Sequence, residues 1–234
     1  MNILFLTMSK FRDINESGIY TDLMRRFRKD GHKVYVVTPC ERRDGKPTSV
    51  VENDGVHILS VKTLNVQKTN VIEKGVGQVL LEPLYQRAIN KYFKGIRFDI
   101  ILYSTPPITF NKVIKNCRKW NHKALTYLML KDIFPQNAVD IGMLSTTGMK
   151  GFLYRSFRKK EKELYQISDY VGCMSPANVQ YVLEHNPEVD ASKVELCPNS
   201  YDVPHEKEDK RPDSRREILE KYQLPINKPI FIYG

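Results

Sequence analysis

A continuous apolar run near the N-terminus, NILFLTM (Asn2 to Met8), limits the possible folds more than any other feature of the sequence. Such a run is typical of a β-strand that is covered on both faces. Ile19, Leu23 and Phe27 follow at helical spacing, and the run KVYVVT (Lys33 to Thr38) predicts a second strand. A strand, a helix and a strand within the first 38 residues make a βαβ unit, which requires a parallel sheet.

The same alternation continues along the chain. Further strands are predicted at residues 55–61, 98–104, 123–130, 170–174 and 193–199. Helices are predicted at residues 70–94, 108–120, 151–168 and 176–186. The helix at 70–94 would bury Leu80, Leu81, Leu84 and Ile89. Strands that alternate with helices are typical of a doubly wound sheet. We therefore predict an α/β fold with a doubly wound, Rossmann-like parallel sheet.

The composition changes after this region. The run HEKEDKRPDSRRE, residues 205–217, is almost entirely charged and cannot bury a core. We expect residues 1–202 to form one domain and residues 203–214 to form an exposed charged linker. A short helix and the apolar run KPIFIYG follow in residues 215–234. They predict the start of a second domain that is cut off at its first strand.

The excess of positive charge predicts an anionic partner. Lys and Arg number 37 against 27 Asp and Glu, which gives a formal net charge of +10. The partner can be a phosphorylated ligand, a membrane surface or a nucleic acid. A stand-alone basic module that binds nucleic acid or another anionic ligand is therefore an alternative function. The sequence has no RNP-type aromatic pattern and no zinc-finger spacing, so we expect no nucleic-acid partner.

Cysteines, histidines and hydropathy indicate the compartment. No stretch approaches the ~20 consecutive apolar residues that span a bilayer, and the N-terminal run has neither a basic leader nor a cleavage site. Cys40, Cys117, Cys173 and Cys197 are far apart, which favours free thiols over disulfides or zinc. The five histidines show no metal-ligand spacing. We expect a cytoplasmic protein without a metal.

The loop SKFRDINESG after the first strand is one candidate binding segment. Ligands of open parallel sheets bind at the carboxyl ends of the strands. The loop carries Lys10 and Arg12, and Ser17 and Gly18 lead into a helix N-terminus whose free N–H groups attract an anion such as a phosphate. An ordinary helix cap with two solvated cations is the alternative. The loop is not the G-x-G-x-x-G turn of a nicotinamide-dependent dehydrogenase, which disfavours that function.

Two other loops end neighbouring strands. STPP contains Thr105, and KDIFPQN places Lys131 and Asp132 directly after a buried strand. A carboxylate there would face the cleft, where it could orient a sugar hydroxyl or share a proton with a bound group. The alternative is an aspartate that pairs with Lys131 or caps a turn. We expect these residues and Gly18 to lie along one edge of the sheet.

These segments together resemble a bacterial family 4 glycosyltransferase of the GT-B fold. The matching segments are MNILFLT, SGIYTDLMRRFRKDGHKVYVVT, KDIFPQNAVDIGML, ISDYVGCMSPANVQYV, VELCPNSYD and KPIFIYG. KDIFPQNAVDIGML is similar to the D-[IL]-[FW]-P segment of enzymes that build capsule, O-antigen and exopolysaccharide. In three places the chain departs from the family pattern. Ser17 precedes Gly18 in place of a second glycine, Lys131 stands where many relatives have histidine, and Asn199-Ser200 replaces Asn-Gly.

The resemblance implies two Rossmann-like domains that face a cleft, the first for the acceptor and the second for a nucleotide-sugar donor. It implies a retaining sugar transfer that uses no cofactor and usually no metal. It also implies a lipid-linked or saccharide acceptor in surface polysaccharide biosynthesis, with donor-domain glutamates beyond Gly234. On this basis Asp132 is a catalytic candidate, and the 234 residues alone are expected to be inactive. The acceptor- or phosphate-binding candidates are Lys10, Arg12, Ser17, Gly18, Thr105 and Lys131.

A basic helix predicts attachment to an anionic membrane surface. In GFLYRSFRKKEKELYQIS, Leu153, Phe157 and Leu164 fall within one narrow stripe, which predicts a core-packed face. Four cations fall on the opposite face with no acid among them: Arg155, Arg158, Lys159 and Lys162. A solvated charged side of a core-packed helix is the alternative. We expect these four cations to dock the protein at the inner face of the plasma membrane.

Overall fold

The computed structural model describes residues 1–66, 69, 71–202 and 214–231. Within them the strands are β1 (Asn2–Leu6), β2 (Lys33–Glu41), β3 (Ser49–Asn53), β4 (Val56–Thr63), β5 (Ile100–Ser104), β6 (Leu125–Leu130), β7 (Tyr170–Cys173) and β8 (Val194–Leu196). The helices are α1 (Ile19–Lys29), α2 (Val71–Tyr92), α3 (Asn111–Trp120), α4 (Gln136–Asp140), α5 (Gly148–Ile167), α6 (Pro176–His185) and α7 (Ser214–Lys221).

The strands form one sheet in the order β3-β4-β2-β1-β5-β6-β7-β8. Every neighbouring pair is parallel except β3 and β4. In the centre, Leu4 of β1 lies opposite Tyr35 of β2 and Ile101 of β5. The chain winds outward from β1 in both directions, so the prediction of a doubly wound α/β fold is confirmed.

Alternate residues of β1 supply two separate cores. Phe5 packs with Met24 of α1 in a cluster on one face of the sheet. Leu4 and Leu6 belong to the larger cluster on the other face, which includes Leu81 of α2. All four residues of the run from Ile3 to Leu6 are at most 1% exposed. Burial of the strand on both faces explains why its sequence is continuously apolar.

The short strand β3 was not predicted. It pairs antiparallel with β4 through a tight turn in which Asp54 and Gly55 both have positive φ angles, 47° and 75°. An Asp-Gly pair between two β-prone runs is the usual signal of such a hairpin. The signal was present in the sequence, but the run SVVEN is mostly polar and mostly exposed.

Two residues that were predicted to lie in the core are exposed instead. Leu80 of α2 is 41% exposed, and Leu153 of α5 is 44% exposed.

The chain divides into two compact units, Met1–Tyr201 and Asp202–Gly234. The first contains the whole sheet. In the second, the described residues form helix α7, and Ile230 and Phe231 belong to no strand. The predicted linker falls almost entirely on residues 203–213, and the end of the predicted last strand falls on residues 232–234. Both segments lie outside the described residues.

Gly172 of β7 lets two neighbouring strands approach it closely. A Cβ atom at this position would lie 2.4 Å from the Tyr127 hydroxyl oxygen and 2.7 Å from the Cβ of Cys197. We expect G172A to lower the free energy of unfolding by about 1–3 kcal/mol through overpacking, measured by chemical denaturation. The penalty should shrink in a Y127F background, which removes the nearest atom. An equal penalty in both backgrounds would contradict this explanation.

Candidate functional site

The sheet has one topological switch point, between β1 and β5. From β1 the chain proceeds through α1 to β2 on one side, and the later strands β5 to β8 lie on the other side. In doubly wound sheets a crevice opens at this point, beyond the carboxyl ends of the strands. Thr7 follows β1 and Ser104 ends β5, and their hydroxyl oxygens are 3.5 Å apart. Both residues are buried, beneath the position at which the topology predicts the crevice.

Thr105 joins the ends of β5 and β6 at the edge of the crevice. Its hydroxyl oxygen accepts a hydrogen bond from the Lys131 backbone N–H at 3.1 Å. The same hydroxyl donates to the Asp132 carbonyl oxygen at 3.3 Å. Thr105 is 2% exposed and therefore cannot present its hydroxyl freely to a ligand. Its observed contacts instead fix the backbone that carries Lys131 and Asp132.

The Asp132 side chain is exposed at this edge. In the described parts of the chain its carboxylate has no hydrogen-bond donor and no salt-bridge partner; only its backbone is hydrogen-bonded. The neighbouring Lys131 does not pair with it, and no side chain caps helix α4. Asp132 therefore neither pairs with Lys131 nor caps the helix.

Tyr20 is a site residue that the sequence analysis missed. Burial raises the pKa of its phenol, a hydrogen bond with the Ser104 side chain partly offsets this, and the negative charge of Asp132 raises the pKa further. The phenol thus lies near enough to both the Ser104 side chain and the Asp132 carboxylate to interact with each of them. Its ring packs 5.1 Å from that of Phe5, centroid to centroid. Only its place in the first turn of α1, two residues after Gly18, could have pointed to it.

Lys131 is held in a partly buried position beside Asp132. Burial lowers the pKa of its ammonium group, and the nearby Cys197 thiol acts in the opposite direction. A lysine with a lowered pKa exchanges its proton more readily than a solvated one. Lys131 thus follows β6 directly before Asp132 but forms no ion pair with it among the described residues.

The N-terminus of α1 is already occupied by a carboxylate. Asp22, which is 6% exposed, accepts the Gly18 backbone N–H at 3.1 Å and forms a salt bridge with Arg25. Gly18 has extended backbone angles, and the exposed Ser17 precedes it. A phosphate at this N-terminus would compete with Asp22 for the same positive potential. Binding of phosphate by Ser17 and Gly18 stays a prediction.

Lys10 and Arg12 lie in a neighbouring groove of about 460 Å³, beside the ends of β2 and β4. The Lys10 ammonium lies 2.9 Å from Asp44 and 3.1 Å from Glu41. Burial alone would lower the pKa of Lys10, but hydrogen bonds with Asp44 and Glu41 raise it overall. Its charge is thus balanced within the protein, whereas Arg12 is exposed. An anion in the groove would meet Arg12 before Lys10.

The four cations of the predicted docking face line a groove of about 780 Å³ with Lys115, Glu163 and Gln166. Arg158 donates to Glu161 at 2.6 Å, and Lys162 lies 2.8 Å from Glu188. The expected separation of these cations from acids is therefore wrong for Arg158 and Lys162. Arg155 and Lys159 are exposed on the helix surface.

The described residues contain neither a candidate metal site nor a helix suited to cross a membrane. In residues 1–66, 69, 71–202 and 214–231, no group of three or more His, Cys, Asp or Glu side chains is placed to hold a metal ion. Over the same ranges, none of the helices has the length and apolar character needed to cross a membrane.

No family model matches the chain, and no curated protein matches its sequence. Solved structures do match its fold. One from E. coli, described as trehalose-6-phosphate bound with UDP-2-fluoro glucose, has a TM-score of 0.53 and 11% identity over 80% of this chain. An alpha,alpha-trehalose-phosphate synthase (UDP-forming) from Burkholderia vietnamiensis has a TM-score of 0.54 and 11% identity over 85% of this chain.

The match covers less than half of either known protein. The chain spans 43% of the length of the E. coli protein and 47% of the Burkholderia protein. At this identity the likeness concerns the fold alone. The doubly wound domain has the fold of one Rossmann-like half of a GT-B protein.

Proposed function

We propose that this chain is the acceptor-binding part of a retaining glycosyltransferase that acts in surface polysaccharide biosynthesis. The donor is a nucleotide sugar, and the acceptor is a lipid-linked or free saccharide. The two structural neighbours are more than twice as long as the matched region, since the chain spans 43% and 47% of them. We therefore assign the donor site to a further domain, as the family 4 resemblance implies.

One observation carries the proposal: the exposed carboxylate of Asp132 lies at the carboxyl edge of the sheet, close to the switch point. Thr105 bonds its backbone, and the charge of Asp132 acts on Tyr20, which also interacts with Ser104, so polar groups converge where doubly wound sheets bind ligands. The descriptions of the two neighbours name UDP-2-fluoro glucose and a UDP-forming synthase. They make a UDP-sugar the first donor to try.

In this proposal Asp132 accepts a hydrogen bond from the acceptor hydroxyl that attacks the sugar. Lys131 contributes positive charge for a phosphate of the acceptor or donor. Tyr20 and Thr105 act as positioning residues, since Thr105 holds the backbone of Lys131 and Asp132. No step of this scheme needs a metal ion or a cofactor.

The test is an NMR titration of the uniformly labelled chain with a polyprenyl-diphosphate-linked saccharide and with the free saccharide. We expect shifts at the amides of Tyr20, Thr105, Lys131 and Asp132. The matched control is the D132N variant, in which these shifts should need a higher ligand concentration. Shifts confined to the Lys10 and Arg12 groove would overturn the assignment of the acceptor to Asp132.

A second measurement tests whether the donor site lies on a further domain. Incubated with UDP-sugars and an acceptor, the 234 residues are expected to give no glycosylated product, because the proposal places the donor site on a further domain. Product above the level of a heat-denatured sample would refute that part of the proposal. Binding of the acceptor in the NMR titration would still stand.

A further inference from the structure

A segment on the surface of the first unit exposes apolar side chains that a fold normally covers. It joins α4 to the first two turns of α5. The exposed fractions are 71% for Ile141, 64% for Met143, 94% for Met149, 72% for Phe152 and 44% for Leu153. These five residues are called the apolar patch below. Scattered apolar residues are common on protein surfaces, but five within thirteen consecutive positions mark an interaction site.

The helical part of the patch has one face. Met149, Phe152 and Leu153 are spaced i, i+3 and i+4 on α5, so they lie side by side on its surface. None of these three side chains lies in the core. Helix α5 packs against the core through Leu164 and Tyr165 instead. The exposure therefore results from the direction in which the helix presents this face.

The preceding loop is packed against the helix. The Leu144 N–H donates to the Ala138 carbonyl at 2.8 Å, and the Gly151 N–H donates to the Thr147 carbonyl at 2.9 Å. A Cβ atom on Gly151 would lie 2.5 Å from the Thr146 carbonyl oxygen. The glycine thus permits a close approach of loop and helix. Ile141 and Met143 lie in the loop between α4 and α5, and the Tyr154 hydroxyl of α5 donates to the Gln136 side chain of α4 at 3.2 Å.

The charge around the patch is mainly positive, although the exposed Asp140 directly precedes it and Glu163 lines the groove that Arg155 and Lys159 also line. Residues 141–160 contain five cations, Lys150, Arg155, Arg158, Lys159 and Lys160, and no Asp or Glu. Arg158 pairs with the buried Glu161 and therefore does not add a free positive charge to this surface. Arg155 and Lys159 are exposed and follow Phe152 at i+3 and i+7, on the same side of α5. Along this side the helix is apolar at its start and basic one to two turns later.

We propose that the apolar patch inserts into an anionic lipid bilayer surface while Arg155 and Lys159 contact the headgroups. A bilayer offers acyl chains beneath a layer of negative phosphates, which matches apolar and basic groups at adjacent positions of one helix. A second copy of this chain fits less well, because a symmetric contact would bring the Arg155 and Lys159 side chains of both copies into one interface. The proposal does not depend on what the crevice at Asp132 binds.

The first test measures co-sedimentation of the chain with vesicles of phosphatidylglycerol and phosphatidylcholine in equal parts, and with pure phosphatidylcholine. We expect binding to the anionic vesicles. The double variant M149S/F152S should reduce the partition coefficient about tenfold or more, since it removes two of the most exposed apolar side chains. R155Q/K159Q should weaken binding to anionic vesicles and flatten its dependence on salt.

Matched controls change similar groups elsewhere on the surface. V79S removes an apolar side chain that is 74% exposed on α2, and K119Q/K123Q removes two exposed cations. Both controls should bind like the parent chain. If they weaken binding as much as the patch variants do, or if the parent chain does not bind anionic vesicles, the proposal is overturned. Circular dichroism melting curves check that each variant is folded.

The second test separates insertion from adsorption. F152W is made in a W120F background, so that the new indole is the only tryptophan. On anionic vesicles its emission should shift to shorter wavelength, and lipids brominated on their acyl chains should quench it. Unchanged emission on bound protein would refute insertion. Dimers that form without lipid and disappear in M149S/F152S would assign the patch to a second copy instead.

Discussion

In the full-length transferase that we propose, replacing Asp132 with asparagine is expected to lower kcat/KM by about 100-fold or more. D132N keeps the size of the side chain and one acceptor oxygen, but it loses the negative charge and the capacity to take a proton. The carboxylate is exposed at the sheet edge and has no hydrogen-bond donor or salt-bridge partner among the described residues, so its replacement leaves no buried group unpaired. The loss should therefore appear in activity and not in the melting temperature.

Initial rates with a UDP-sugar and varied acceptor concentration measure the effect. Loss in kcat indicates a role in the transition state, whereas a rise in KM alone indicates uniform acceptor binding. The control is D140N, which changes another exposed carboxylate eight positions along the same segment. Asp140 accepts a hydrogen bond from Gln136 within α4, away from the strand end. The activity of the D140N variant should therefore equal that of the parent enzyme. Equal losses in both variants would show a general effect of negative charge in this segment.

The fold was largely predictable because its signals are local in the sequence. The apolar runs of β1 and β5 reflect burial on both faces, and α1 shows its inward side through Leu23 and Phe27. The positions of Thr105, Lys131 and Asp132 follow from the same alternation, because each ends a parallel strand. A rule of topology was therefore sufficient to bring these residues to one edge.

What could not be predicted depends on contacts between residues that are distant in sequence. Tyr20 reaches the crevice through its contact with Ser104, and Lys10 meets Glu41 and Asp44 across a loop. Helical spacing gives the direction of a side chain but not the partner that it finds there. Arg158 is the clearest case, because its position on the basic side of α5 predicted exposure, whereas a second helix supplies it with partners.

Replacing Arg158 with methionine is expected to lower the free energy of unfolding by about 3–5 kcal/mol at neutral pH. The arginine donates to Glu161 at 2.6 Å, to the His185 carbonyl at 2.9 Å and to the Asn186 side chain at 2.6 Å. Glu161 is 2% exposed and has one other partner, the Tyr165 hydroxyl at 2.7 Å. R158M keeps most of the apolar stem but leaves the buried carboxylate without its cation.

Chemical denaturation of the single variants R158M and E161Q and of the double variant R158M/E161Q measures the coupling. The double variant should be more stable than R158M, because it removes the uncompensated charge. R155M is the control, since Arg155 lies one turn earlier on α5 and is exposed. It should change the free energy of unfolding by less than about 0.5 kcal/mol. A loss in R155M as large as in R158M would contradict a specific role for the buried pair.

The pH dependence of the free energy of unfolding of R158M provides an independent test. Burial raises the pKa of Glu161 above its ordinary value of 4.5, while the Tyr165 hydrogen bond and the charge of Arg158 hold it down. Loss of Arg158 should raise this pKa further. The folded state then binds a proton more tightly than the unfolded chain does, so stability is lost as pH rises from about 4.5 through the raised pKa. We expect the gap between R158M and the parent to widen over that interval. R158M/E161Q lacks the titrating carboxyl group, so its free energy of unfolding should fall less than that of the parent as pH rises. A gap in R158M that narrows as pH rises would refute the uncompensated carboxylate as its cause.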